Sequence, residues 1–196
     1  MKEAGDVMER VKRETRAQHE RIEKLVPIGK EVLSLSSYRS VLSSFLGLFE
    51  PIEHLLGSLP LSPDLQFSSR KRAHLLLSDL LSLGLTEEMV KSLPRCSDLI
   101  APSSESEAMG VMYVLEGSTL GGKMISRIVH EQLGLTEESG CSFFASSGRD
   151  AAALWQVFGE VVRKKISTPQ NEQEFIRAAQ STFSCFERWL MHELAC

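Results

Sequence analysis

No stretch of this chain stays apolar for the roughly 20 residues that span a bilayer, and Met1-Lys2-Glu3-Ala4-Gly5-Asp6 has no apolar signal core. A soluble, cytoplasmic protein with no membrane contact is expected. The four cysteines, Cys96, Cys141, Cys185 and Cys196, include no C-x-x-C pair. That excludes a zinc knuckle or a dithiol redox motif and makes reduced thiols the expected state, with Cys196 placed to form an adventitious intermolecular disulfide. The five histidines, His19, His54, His74, His130 and His192, occur in no E-x-x-H or H-x-x-x-H pattern, so neither a carboxylate-bridged di-iron site nor a zinc pair is written here. No serine lies in G-x-S-x-G. A net charge of −4 offers no broad basic surface for neutralising phosphates, which argues against nucleic acid as a partner.

Strand signals are also scarce. β-branched residues are thinly spread and no stretch alternates over strand length, whereas leucine, alanine, serine and glutamate dominate, so the fold class is all-α. A chain of 196 residues fits a single domain, 1–196, with a sizeable core. Helices are expected over 6–26, ending at Pro27 and Gly29; 37–56, bending at Gly47 and Pro51; 70–83; 87–93; 104–133; 150–166; and 171–193. Ser104 and Glu107 form a capping-box pattern before the fifth of these, and Asn171 with Glu174 one before the last. The stretch 136–148 reads as a loop anchored by Phe143 and Phe144.

Two segments stand out. Tyr113-Val114-Leu115-Glu116-Gly117-Ser118-Thr119-Leu120-Gly121-Gly122-Lys123-Met124-Ile125 puts three glycines inside a helical run, each costing about 1 kcal/mol relative to alanine. Either a flat cofactor lies against bare backbone there, or helices pack tightly or turn. On the first helix, Lys12, Arg16, His19 and Glu23 fall on one stripe. Glu23 can accept the His19 Nδ1–H and leave Nε2 for a metal, and Lys12 and Arg16 lie within about 10 Å along the axis, where cations could meet the acidic edge of a porphyrin. The same stripe also reads as a solvated charged face. Lys123 and Arg127 are either solvated too or a docking rim.

The segments Thr15-Arg16-Ala17-Gln18-His19-Glu20-Arg21-Ile22-Glu23 and Tyr113 to Ile125 resemble the proximal and distal helix signatures of heme oxygenase, most closely the bacterial, biliverdin-producing branch that supplies phytochromes or releases iron from heme. Less specific aromatics at Trp155, Phe158, Phe183 and Trp189 extend the resemblance along the chain. It implies a heme oxygenase-like helical fold with heme between the N-terminal helix and a glycine-kinked distal helix. The implied reaction opens heme, which is both substrate and cofactor, to biliverdin, carbon monoxide and ferrous iron. Dioxygen is the co-substrate and electrons come from a reductase or ferredoxin; a bacteriophytochrome is an implied acceptor. The resemblance makes His19 the iron ligand, supported by Glu23; Gly117, Ser118, Gly121 and Gly122 the distal wall; and Lys12, Arg16 and Arg163 the propionate-facing cations. Ser118 departs from the aspartate that many members carry after the first distal glycine, which keeps a non-catalytic heme-handling protein of the same fold as the alternative. A helical interaction module is the rival from another class.

Overall fold

Asp6 begins the first helix: its carboxylate accepts from the Met8 amide at 3.1 Å, satisfying one of the free donors of the first turn. The computed structural model describes residues 6–29 and 32–194, apart from the side chains of 147–150; Cys196 lies outside the described residues. Helix α1 is Val7–Leu25, and the helices that follow are α2 (Leu35–Gly57), α3 (Phe67–Arg70), α4 (Ala73–Ser82), α5 (Glu87–Ser92), α6 (Glu105–Ser118), α7 (Gly122–Leu133), α8 (Ser142–Lys165) and α9 (Pro169–Leu194). No strand occurs among the described residues. Nor is any described helix long and apolar enough to cross a membrane.

Four expectations give way to packing. The 70–83 helix is broken at Lys71–Arg72, because the Arg72 and Ala73 amides both donate to the buried Glu53 Oε1, at 2.6 and 3.0 Å, so a carboxylate from α2 caps α4. The expected loop 136–148 is a short 3-10 turn, Glu137–Ser139, followed by α8 from Ser142. Asp79 of α4 starts that helix by accepting from Ser142 N at 2.7 Å and Phe143 N at 2.8 Å. At α9 the cap is Thr168, whose hydroxyl accepts from Asn171 N at 3.2 Å, in place of Asn171 itself. Glu107 reaches one residue beyond the expected box, to Ser103 N at 2.7 Å, while Ser104 caps α6 as expected.

The expected bend in α2 proves to be a seat for another segment. Pro51 has no N–H for the carbonyl four residues earlier, and that carbonyl, Gly47 O, accepts from Cys96 N at 2.8 Å. A Cβ on Gly47 would lie 2.6 Å from both Pro94 O and the Trp189 ring, so only glycine lets the chain after α5 approach this closely. Beside it, Phe45, Phe49, Phe143 and Phe144 form an edge-to-face cluster joining α2 to α8.

Helix α9 is the common support of the bundle. It runs alongside α1 in the same direction, paired through Arg10–Glu172, Gln18 with Gln180 and Ser184, and Arg21–Glu187. Helix α6 packs on it as closely as backbone allows: a Cβ on Gly110 would lie 2.3 Å from Phe175 O.

Candidate active site

The glycine run is where the long helix expected over 104–133 changes course. Helix α6 ends at Ser118, a 3-10 turn spans Thr119–Gly121, and α7 starts at Gly122. The hydroxyls of Ser118 and Thr119 donate back to Leu115 O and Glu116 O, each at 2.7 Å, which relieves carbonyls at the offset. Gly121 and Gly122 have ordinary right-handed backbone, so neither is a glycine for conformational reasons.

Packing does not demand glycine at 117 or 121 either. A Cβ on Gly117 would make ordinary contact with Trp155, at 3.7 Å, and one on Gly121 would sit 3.8 Å from Ile125 of the next turn. Gly47 and Gly110, by contrast, have neighbours at 2.6 and 2.3 Å. Gly47 and Gly110 are thus required by their packing, whereas Gly117 and Gly121 have room for a Cβ.

His19 lies at the level of this turn. One turn before it on α1, Thr15 lies beside the Tyr113 phenol, which belongs to α6 one turn before Gly117. Burial pushes the Tyr113 phenol up, with Thr15 opposing. After α1, a Cβ on Gly29 would stand 3.0 Å from Ile128 of α7, and Leu33 N donates to Gln132 of α7 at 2.7 Å. Helix α1 and its following loop thus run in the same sense as α6 and α7, touching them above and below, with His19 and Gly117 each about 6 Å further along from the Thr15–Tyr113 contact. Phe183 of α9 meets the His19 ring edge-on at 6.1 Å, and Trp155 of α8 stands against Tyr113 at 5.3 Å.

The sequence-predicted residues divide. His19 is half exposed, with its Nδ1 3.7 Å from Glu23 Oε1, a separation one bridging water or a small rotation closes. Arg16 is exposed and paired with Glu20 at 2.7 Å, and Lys12 is exposed. Gly117, Ser118 and Gly121 are half-buried and Gly122 is buried. Arg163 is not brought to His19: it pairs with Asp6 at 2.8 Å, at the opposite end of α1, about 20 Å along the axis.

Behind the distal turn lies a polar cluster that sequence reasoning missed. Glu116, directly before Gly117, is buried and takes a 2.7 Å ion pair from Arg70 Nη1. Arg70 also donates from Nε to Leu65 O at 2.8 Å and stands over the Phe158 ring. Burial pushes the Glu116 carboxyl up, and Arg70 and Arg72 pull it back. A cavity of about 10 Å³ among Glu53, Arg70, Arg72 and Glu116 is of the size of one water. The available signal was the triplet Arg70-Lys71-Arg72 shortly before the apolar run Leu75-Leu76-Leu77. Among the described residues no three acidic, histidine or cysteine side chains gather into a metal cluster.

Comparison with known proteins bears directly on this geometry. A family model described as Heme oxygenase matches residues 6–192. A heme oxygenase of Xanthomonas campestris pv. campestris is 30% identical over 125 residues, covering 63% of this chain and 70% of that protein. Among solved structures, the NO- and CO-bound heme oxygenase from Neisseria meningitidis superposes with a TM-score of 0.78 at 22% identity, over 98% of this chain and 94% of that one. A heme oxygenase from the cyanobacterium Synechocystis, solved in complex with heme, gives 0.76 at 14% identity over 95% and 91%. With the family match running from the cap of α1 nearly to the end of α9, the chain belongs to the heme oxygenase family.

Proposed function

We propose that this heme oxygenase opens heme to biliverdin, carbon monoxide and ferrous iron, with His19 as the iron ligand and the Gly117–Gly122 turn as the opposite wall. The observation that carries the site is the pairing of His19, at one level of α1, with two glycines on α6 and the 3-10 turn that protein packing does not require, since a Cβ there would make only ordinary contacts. When bound, heme supplies the iron that activates dioxygen next to the ring it opens.

The residues of the chain do the rest. Phe183 meets the imidazole edge-on, and Glu23, 3.7 Å from Nδ1, would orient it by accepting from Nδ1 after a small rotation, leaving Nε2 for the iron. Gly117, Gly121 and Gly122 would form the opposite wall, where the lack of side chains leaves room for a flat ring to approach the backbone. Ser118 Oγ spends its hydrogen on Leu115 O and keeps only lone pairs, so it accepts from a water and does not donate. No carboxylate follows the first distal glycine; the nearest buried one, Glu116, is held by Arg70. Lys12 and Arg16 would meet propionates at the exposed edge, Arg16 by exchanging Glu20. Arg163 would have to leave Asp6 to join them.

Electrons come from a reductase or ferredoxin. An acidic donor suits the exposed α7 face, where Lys123 and Arg127 flank the exposed Met124, with Leu120 beside them. Resemblance to the phytochrome-supplying branch makes a bacteriophytochrome the candidate acceptor of the product. Heme titration of the purified chain, followed by reductant and air, tests the reading: stoichiometric binding and conversion of the heme band to biliverdin absorption are expected, and bound heme that persists under those conditions contradicts it.

A further inference from the structure

Cys96 and Cys185 are 89 positions apart in sequence, yet their Sγ atoms lie 3.5 Å from each other inside the protein. Cys96 stands in the segment between α5 and α6 and is held by its own amide, donated to Gly47 O. Cys185 stands on α9, where its thiol donates to Asp98 O at 3.3 Å. Both are buried, but Cys185 also lines a cavity of about 280 Å³ enclosed by Leu56, Leu99, Val111, Arg177 and Arg188. This cavity lies on the face of α9 turned away from α1, since Gln180, Phe183, Ser184 and Glu187 meet α1 while Ala178, Ser181, Thr182 and Cys185 line it.

We propose that Cys96 and Cys185 form a reversible oxidative modification site, in which hydrogen peroxide entering through this cavity converts the thiol pair to a disulfide. The Cys185 thiol attacks one peroxide oxygen, giving a sulfenic acid and one water; the Cys96 thiol then displaces the second water as the S–S bond forms. Two electrons leave the two sulfurs and reduce one peroxide to two waters. The sulfurs need approach by only about 1.5 Å to reach bonding distance. Burial, followed by the neighbouring Cys96 thiol, raises the Cys185 pKa, so the reaction is slow and answers to sustained peroxide. Its effect is to tie the segment joining α5 and α6 to α9, the helix on which both α1 and α6 rest. Cys141 serves as an internal control: it is buried elsewhere, beside Tyr38 and Asp79.

The test is thiol mapping of the intact heme-free protein after hydrogen peroxide, with acid quenching and alkylation under denaturing conditions. Wild type and Cys141→Ser should each lose two alkylatable thiols, yield a Cys96–Cys185 cross-linked peptide, and regain both thiols with dithiothreitol. Cys96→Ser should carry Cys185 on to the sulfinic acid. Oxidation of the exposed Met124 to its sulfoxide fixes the dose in the same digest. Full alkylation of Cys96 and Cys185 once Met124 is oxidised, or bridging only through Cys196 between molecules, overturns the proposal. The wild-type map decides even if a serine variant does not fold.

Discussion

Replacing single glycines with alanine separates the two kinds of helical glycine. At Gly110 the added methyl would stand 2.3 Å from Phe175 O, 2.8 Å from the Ala178 Cβ and 3.0 Å from Ala179 N. Two of these are backbone atoms of α9 that cannot rotate away. Helix α6 must lift from its support, an overpacking cost of about 1–3 kcal/mol. At Gly121, where φ is −78° and ψ is −11°, alanine fits the backbone and its methyl meets only Ile125 at 3.8 Å. There the loss of glycine's unfolded-state freedom should stabilise by about 0.4–1 kcal/mol. For a chain of this length 1 kcal/mol moves the melting temperature by about 2–4 °C. Gly110→Ala should therefore melt about 2–12 °C lower and, where folded, still degrade heme. Gly121→Ala should melt slightly higher but degrade heme more slowly, and Gly121→Leu should lose turnover before it loses the fold. Calorimetry of the heme-free proteins beside biliverdin formation reads both effects. A Gly121→Leu protein that turns over heme normally would refute the reasoning, as would a Gly121→Ala protein destabilised as much as Gly110→Ala.

Three further outcomes follow from the charged groups. Arg70→Met leaves Glu116 buried without its partner and should cost about 3–5 kcal/mol in urea unfolding, whereas Arg70→Met combined with Glu116→Leu should recover most of that loss. Lys12→Ala with Arg16→Ala should weaken heme binding, change its salt dependence and shift the ratio of biliverdin isomers while leaving ring opening intact; unchanged values on all three would make the stripe a solvated face. Glu53 is raised above the ordinary carboxylate value, first by burial, so it favours the folded state below that value and this contribution is lost as pH rises through its folded pKa. Glu53→Gln keeps an oxygen for the Arg72 and Ala73 amides and should flatten that decline, so that its stability relative to wild type improves as pH rises above the ordinary carboxylate value in denaturant titrations.

Local chemistry made much of this fold legible. Asp6, Pro27 and Gly29 bracket α1, and Met8, Val11 and Thr15 are the buried stripe that their spacing indicates. The distal glycines stood out because helix interiors rarely carry three so close together. What stayed hidden depends on residues distant in sequence. The start of α8 looks like a loop because its serines and glycine are poor helix formers, and its cap comes from Asp79, 63 residues earlier. Glu53 likewise caps a helix from outside it, and Arg70 and Glu116 look like ordinary surface charges until α3 and α6 are brought together. Gly47 and Gly121 look alike in sequence, and only the neighbours of a missing Cβ tell them apart. His19 stood out because it alone among the histidines has cations and a carboxylate at helical spacing; Arg163 was placed by resemblance, and its pairing with Asp6 required the bundle to be seen.

The central claim is that His19 presents the iron to the glycine turn, and the most direct measurement is the spectrum and turnover of His19→Ala loaded with heme. Because His19 is half exposed on α1, removing its ring should leave the helical circular dichroism and melting temperature close to wild type. The histidine-ligated heme spectrum and biliverdin formation should both be lost, with partial recovery of each on adding imidazole. A variant that keeps the wild-type axial-ligand spectrum and full turnover would contradict it.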